Sequence, residues 1–153
     1  VGLVGEEARD EWQESLRRNN ILLFARLRHL ASGRALGVAT YHMPCKFDFP
    51  EVMVIHSALA GQHVERLAGK DPYLLAGDFN FKPGSSQYEL LTKGGLEEGH
   101  EHYPKKLFEE DEWKPALKNE PMKSAYLELH GKEPDFTNNA KVKENPPFID
   151  CLD

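Results

Sequence analysis

A chain of 153 residues, 40% of them hydrophobic and 29% charged, has the proportions of one ordinary globular domain, long enough to bury a core without covalent staples. Its formal net charge of −6 excludes a basic footprint for strong sequence-independent nucleic-acid binding, although a local groove or a divalent cation would still admit RNA. Cys45 and Cys151 stand far apart in no CxxC spacing, which argues for a reducing compartment and against a zinc site or disulfide framework. No apolar run reaches membrane-spanning length and the N-terminus has no signal-peptide pattern, so the expected location is cytoplasmic or nuclear, with no membrane partner.

Val1 to Gly5 carries no assignable pattern. Glu6 to Arg18 reads as a helix, with Glu6, Glu7 and Asp10 early and Arg17 and Arg18 late, as the helix dipole favours. Trp12 and Leu16, four apart, are its expected buried stripe. Two apolar runs, 21–28 and 35–42, flank the turn residues Ala31 to Arg34 and predict an antiparallel hairpin, each strand buried on at least one face. Helical spacing then covers 51–69 through Val52, Ile55, Leu59, Val64 and Leu67. A strand over 72–77 follows, then a short helix over 87–93 with Ser86 and Glu89 in capping-box positions. Residues 96–120 read as a long loop with one helical turn, and 122–138 as loop or short strand. A polar turn is expected over 141–147, and Phe148 to Asp153 begins a strand. Strands alternating with helices predict α/β layers in a single domain over residues 1–153.

The most informative stretch is Gly77-Asp78-Phe79-Asn80-Phe81-Lys82-Pro83-Gly84, between the third strand and the helix after it. If the strand alternation continues, Asp78 and Asn80 share one side and Phe79 and Phe81 turn into the core. A carboxylate beside a carboxamide can bind a metal, orient a water or donate to a phosphate oxygen.

These residues resemble the GDFN signature of the endonuclease/exonuclease/phosphatase superfamily. Four other segments are similar to motifs of that superfamily, in its order: Leu36 to His42, Met122 to Tyr126, Glu133 to Asn138, and Cys151-Leu152-Asp153. The last three resemble its deadenylase-like branch, with nocturnin, Angel and the 2′,5′-phosphodiesterases. Two points stand out. Tyr41 separates Thr40 from His42, the Thr-x-His rather than the Thr-His form of the family's element, which leaves open which side chain faces the site, and no segment before residue 21 matches the family's metal-binding glutamate.

The resemblance implies part of a two-layer α/β sandwich of the DNase I-like kind, lacking its first half and last strands. It also implies hydrolysis of a phosphodiester with Mg2+ or Mn2+. Asp78 is then the expected metal ligand and water-orienting group, Asn80 a donor to a non-bridging phosphate oxygen, and His42 a hydrogen-bonding group for the phosphate. Asp153 would orient a catalytic histidine, with Asp150 a lesser candidate on the same strand face. Phe136 and Asn138 are candidate contacts to a base, by stacking and by a polar edge. Taken singly, each has a plainer reading: turn-capping Asp78, turn Asn80, a structural strand-end His42, a terminal Asp153, and a core Phe136 beside a turn Asn138. His100 and His102 flank Glu101 in a polar loop and form only a weak metal pattern. Lys46, Lys82, Lys105 and Lys106 read first as a solvated face. An RNA tail, a 2′,5′-linked oligoadenylate or a nucleotide phosphate all remain open as substrate, and the acidic balance favours small phosphate esters. The rival of another kind is a non-catalytic fragment that forms a homodimer through an exposed sheet edge.

Overall fold

The computed structural model describes residues 6–141 and 145–153, with side chains from Glu11 onward. The acidic first turn expected at Glu6, Glu7 and Asp10, and part of the turn at 141–147, lie outside that description.

The first helix, α1, runs Glu6–Leu16 and stops two residues earlier than expected. Its anchors are also different. Leu16 is 81% exposed, and the buried positions are Glu11 and Ser15, with Trp12 half-buried. Trp12 donates its indole N–H to the Lys105 carbonyl at 2.9 Å and meets Trp113 edge-on at 5.0 Å between centroids. The long segment after residue 100 therefore decides which face of α1 is inward.

The hairpin forms as β1, Leu22–Arg28, and β2, Ala35–Tyr41, paired antiparallel. β2 also pairs in parallel with β3, Tyr73–Ala76, so the sheet has the order β1-β2-β3. Between them lies α2, Pro50–Ala68, the crossover helix that parallel pairing requires. Val52, Val54, Ile55, Ala58 and Val64 of α2 are fully buried, whereas Leu67, expected inside, is 43% exposed. Strand alternation puts Gly37, Ala39 and Tyr41 on the helix-covered face. Leu23, Leu27 and Leu74 belong to the other face and are 65%, 52% and 54% exposed, so among the described residues the sheet is covered on one side only.

α3, Ser86–Lys93, packs against α2 and is capped by Ser85, one residue before the expected cap; the Ser85 hydroxyl accepts from the Tyr88 N–H. Residues 96–120 contain no named helix; one isolated bridge joins Gly95 to Ala116. Buried Glu65 of α2 straps this segment down, accepting the backbone N–H groups of Lys118 and Asn119 at 2.8 and 2.9 Å. A short helix, α4, replaces the expected loop at Ala125–His130, with Ser124 and left-handed Gly131 as its caps. β4, Asn138–Ala140, and β5, Phe148–Asp150, make a second, two-stranded sheet.

Candidate functional site

Parallel strands end side by side, so their C-terminal ends deliver consecutive loops to one place. In register Thr40 faces Ala76, and therefore His42 and Asp78 leave the sheet together. The pairing continues past the strands, because the Met43 N–H donates to the Asp78 carbonyl at 2.9 Å. Here Gly77 has φ of +140°, and a Cβ at this position would stand 2.2 Å from the Tyr41 carbonyl oxygen. Only a glycine lets the two backbones approach so closely.

The outcome is a His42–Asp78 pair, Nε2 to Oδ2, at 3.7 Å, with both side chains open to solvent. Asp78 Oδ1 accepts the Asn80 backbone N–H at 3.0 Å, which closes the turn. From the other side Asn20 Nδ2 donates to the His42 carbonyl at 2.6 Å.

Asn80 departs from the alternation argument. The strand ends at Ala76, Asn80 adopts φ of +53°, and it is 7% exposed. Its Nδ2 donates to the Met43 carbonyl at 2.9 Å. The amide N–H expected to face a phosphate is thus engaged in holding the His42 loop against the Asp78 loop. Phe79 and Phe81 do pack inward as a stacked pair, 5.4 Å between centroids, with Phe81 buried and Phe79 half-buried.

The remaining expected residues border this corner. The Phe79 N–H donates to the Leu152 carbonyl at 2.8 Å, which brings Asp153 beside the loop, but Asp153 lines a separate cleft along β3 that neither His42 nor Asp78 enters. Thr137 Oγ1 accepts the Leu152 and Asp153 N–H groups, so the segment of Phe136 and Asn138 adjoins residues 152–153. Phe136 is half-exposed rather than in the core, and Asn138 pairs with Asp150 across the small sheet. Asp150 forms an ion pair with Lys82 and accepts the Cys151 N–H. Lys46 pairs with Asp48 at 2.8 Å. His102 bonds the Ser86 hydroxyl at 2.6 Å, and the described residues contain no cluster of three or more metal-ligating side chains.

Two part-buried hydrogen-bond networks lie nearby in the sequence, one beginning at Tyr41 beside His42 and the other at Tyr88 in the cleft. Tyr41 donates its hydroxyl proton to His56 Nδ1 at 2.7 Å, and His56 Nε2 donates to the Ser15 carbonyl at 3.2 Å, a neutral tautomer set by its partners. Burial lowers the His56 pKa and pushes Tyr41 up to about 12. Tyr88 donates to Glu133 at 2.5 Å and is also pushed up to about 12, by burial first and that hydrogen bond second. The Cys151 thiol is raised by burial, which makes it a poor nucleophile.

Asn20 and Lys82 are the residues that sequence reasoning passed over. Asn20 reads as a helix terminator, and its partner is a carbonyl 22 residues away. Lys82 reads as solvated, and its partner Asp150 is brought in by the small sheet.

No protein-family model matches the chain. It is 25% identical over 159 aligned positions to the CCR4-Not complex 3'-5'-exoribonuclease subunit Ccr4 of Candida glabrata, covering 97% of this chain and 17% of that protein. With the Saccharomyces cerevisiae subunit of the same name it shares 26% over 104 positions, 60% of this chain and 12% of that one. The chain thus spans less than a fifth of the length of these relatives. A solved structure of ANGEL2, described as a 2',3'-cyclic phosphatase in complex with adenosine-2',3'-vanadate, superposes with a TM-score of 0.50 at 25% identity, over 54% of this chain and 25% of that one. The mixed α/β architecture is that of a partial DNase I-like fold. Among the described residues no helix is long and apolar enough to cross a membrane.

Proposed function

We propose that this chain, a deadenylase-like segment of the endonuclease/exonuclease/phosphatase type, serves metal-dependent hydrolysis of a phosphodiester in RNA or a nucleotide. The observation that carries the reading is the His42–Asp78 pair at 3.7 Å, at the joint end of two parallel strands. Asp78 is partly solvent-facing and keeps lone pairs beyond its turn hydrogen bond. One such carboxylate is what the protein must supply to a Mg2+ held mainly by water and phosphate oxygens. Asp78 is therefore the residue that would hold the ion, which when bound would neutralise charge developing on the phosphate. The chain's own groups do the rest. The Asp78 carboxylate orients a water by accepting its hydrogen bond, and the His42 imidazole, when Nε2 carries a proton, donates to a non-bridging oxygen. Asn80 acts one step back, by fixing the loop that presents both.

A second reading, attack on a 2′,3′-cyclic phosphate, is favoured by the likeness to ANGEL2 and by the net charge of −6, which suits a small ester better than a long polyanion. Hydrolysis of an oligoadenylate RNA and of adenosine 2′,3′-cyclic phosphate, with Mg2+ or Mn2+ and beside Asp78→Asn, tests both. Metal-dependent turnover that drops on the order of 100-fold or more in the variant is expected. Turnover unchanged in Asp78→Asn would refute the assignment of Asp78.

A further inference from the structure

The peptide group that joins His42 to Met43 is held at both ends. On one side the Met43 N–H donates to the Asp78 carbonyl at 2.9 Å. On the other the His42 carbonyl accepts from Asn20 Nδ2 at 2.6 Å. Of the two ends of the Asn20 carboxamide only the nitrogen has protons to offer a carbonyl. The C=O and N–H of a trans peptide point in opposite directions within one rigid plane, so partners on opposite sides fix its tilt. That tilt is the ψ angle of His42. The next peptide is held as well: Asn80 Nδ2 donates to the Met43 carbonyl at 2.9 Å, and Pro44 narrows the backbone angles open to Met43.

Strand register explains why Asn20 is the residue in place. β1 and β2 are paired as far as Leu22 with Tyr41. Continued past that pair, the antiparallel register sets Ile21 opposite His42 and Asn20 opposite Met43. β1 begins only at Leu22, so the backbone ladder stops short of His42. The Asn20 side chain supplies the donor that the ladder no longer does. Asn20 is anchored from behind, because α1 ends at Leu16 and its Ser15 carbonyl accepts from His56 of α2.

The imidazole of His42 is 72% exposed, and the charged group that faces it is Asp78 at 3.7 Å. A side chain so exposed takes its direction from the backbone that carries it, through the Cα–Cβ bond and the rotamers that φ and ψ allow.

We propose that Asn20 is a positioning residue for the reaction at the His42–Asp78 corner. It grips one end of the peptide whose other end Asp78 holds, and so fixes the imidazole relative to the carboxylate. Its bond to the His42 carbonyl also polarises that peptide and strengthens the Met43 N–H as a donor to Asp78. The reaction served is the hydrolysis proposed above, on which this role rests, whereas the positioning itself is read without turnover.

The test compares the 153-residue chain with Asn20→Asp, Asn20→Ala and the neighbouring control Asn19→Ala by NMR. Asn20→Asp keeps the shape and removes the donor, and Asn20→Ala removes the side chain, so either serves if the other fails to fold. The Met43 amide is expected to exchange about tenfold faster in both Asn20 variants, while the amides of α2 keep their rates. The three-bond couplings that report the His42 χ1 angle are expected to shift from those of one rotamer toward averaged values. Asn19→Ala is expected to change neither. Oligoadenylate hydrolysis with Mg2+ is expected to lose roughly tenfold in kcat, with KM unchanged. Unchanged Met43 exchange and unchanged His42 couplings would overturn the proposal. Equal acceleration at Met43 and throughout α2 would overturn it too, since that reports global destabilisation. Full kcat in a variant whose His42 couplings have averaged would refute the role in the reaction. A folded wild-type chain without turnover would overturn the hydrolytic reading, and the exchange and coupling results would still uphold or refute Asn20 as the residue that sets His42.

Discussion

Replacing Gly77 by alanine tests whether close backbone contact sets the geometry of the candidate site. The new Cβ would stand 2.2 Å from the Tyr41 carbonyl oxygen, roughly 1 Å inside ordinary van der Waals contact. The atom it meets is backbone, so a rotamer change gives no relief, and the φ of +140° is itself adverse for any residue with a side chain. Backbone strain of about 1–3 kcal/mol and an overpacking term of about 1–3 kcal/mol give an expected loss of roughly 2–6 kcal/mol. At this chain length that lowers the melting temperature on the order of 10 °C. Relief also requires the Gly77–Asp78 segment to move away from Tyr41–His42, by roughly the 1 Å overlap. A shift of that size in a reacting group costs about 100-fold in rate. Thermal unfolding followed by circular dichroism measures the first effect, and hydrolysis of the oligoadenylate by the folded fraction at low temperature measures the second. Gly77→Ala with wild-type stability would refute the close approach. A destabilised variant with full activity per folded molecule would separate the contact from the site.

Three further outcomes are expected. Asn80→Ala removes the Nδ2 donor from the buried Met43 carbonyl and places alanine at φ of +53°, so it should lower the urea unfolding free energy by about 2–4 kcal/mol, whereas Asn80→Gly should recover the backbone part. Glu65→Ala leaves the Lys118 and Asn119 N–H groups without their acceptor, with an expected cost of about 2–3 kcal/mol and faster amide exchange at both positions. The pH profile of stability follows from the buried His56 and Tyr41. His56 has its pKa lowered on folding, so stability is intact above about pH 6.5 and falls as pH drops through the lowered value, where the unfolded chain binds the extra proton. Tyr41 and Tyr88 are raised to about 12, so their contribution is whole below about pH 10 and is lost as pH rises toward 12. Urea midpoints across pH 4 to 12, with His56→Gln flattening the acid limb, check both signs.

The elements from α1 to α3, in their order, were legible in the sequence, since short-range physics decides them, whereas α4 at Ala125–His130 was read as loop or short strand. The hairpin follows from two apolar runs around a glycine turn, α2 from apolar spacing that ends at Gly69, and the position of the Asp78 loop from a strand that runs into Gly77. Motif order was legible too, and it pointed to the type of protein that the relatives and the solved neighbour bear out. Direction was not. Strand alternation aimed Asn80 outward with Asp78; the alternation fails because Gly77 and Asn80 both take positive φ, and the Asn80 amide then reaches a carbonyl 37 residues away. The inward face of α1 was misjudged for a similar reason. Helical spacing nominates Leu16, but the indole of Trp12 has its partner at Lys105, on a segment with no pattern of its own. Ser86 matched a capping-box position, yet the hydroxyl of Ser85 makes the cap and Ser86 bonds His102. Propensity, caps and periodicity act over a few residues, and so the sequence by itself determined which segments become helix or strand and in what order. Which polar side chains face solvent depends on hydrogen-bond partners brought in from 22 to 93 residues away, and only the tertiary structure decided that.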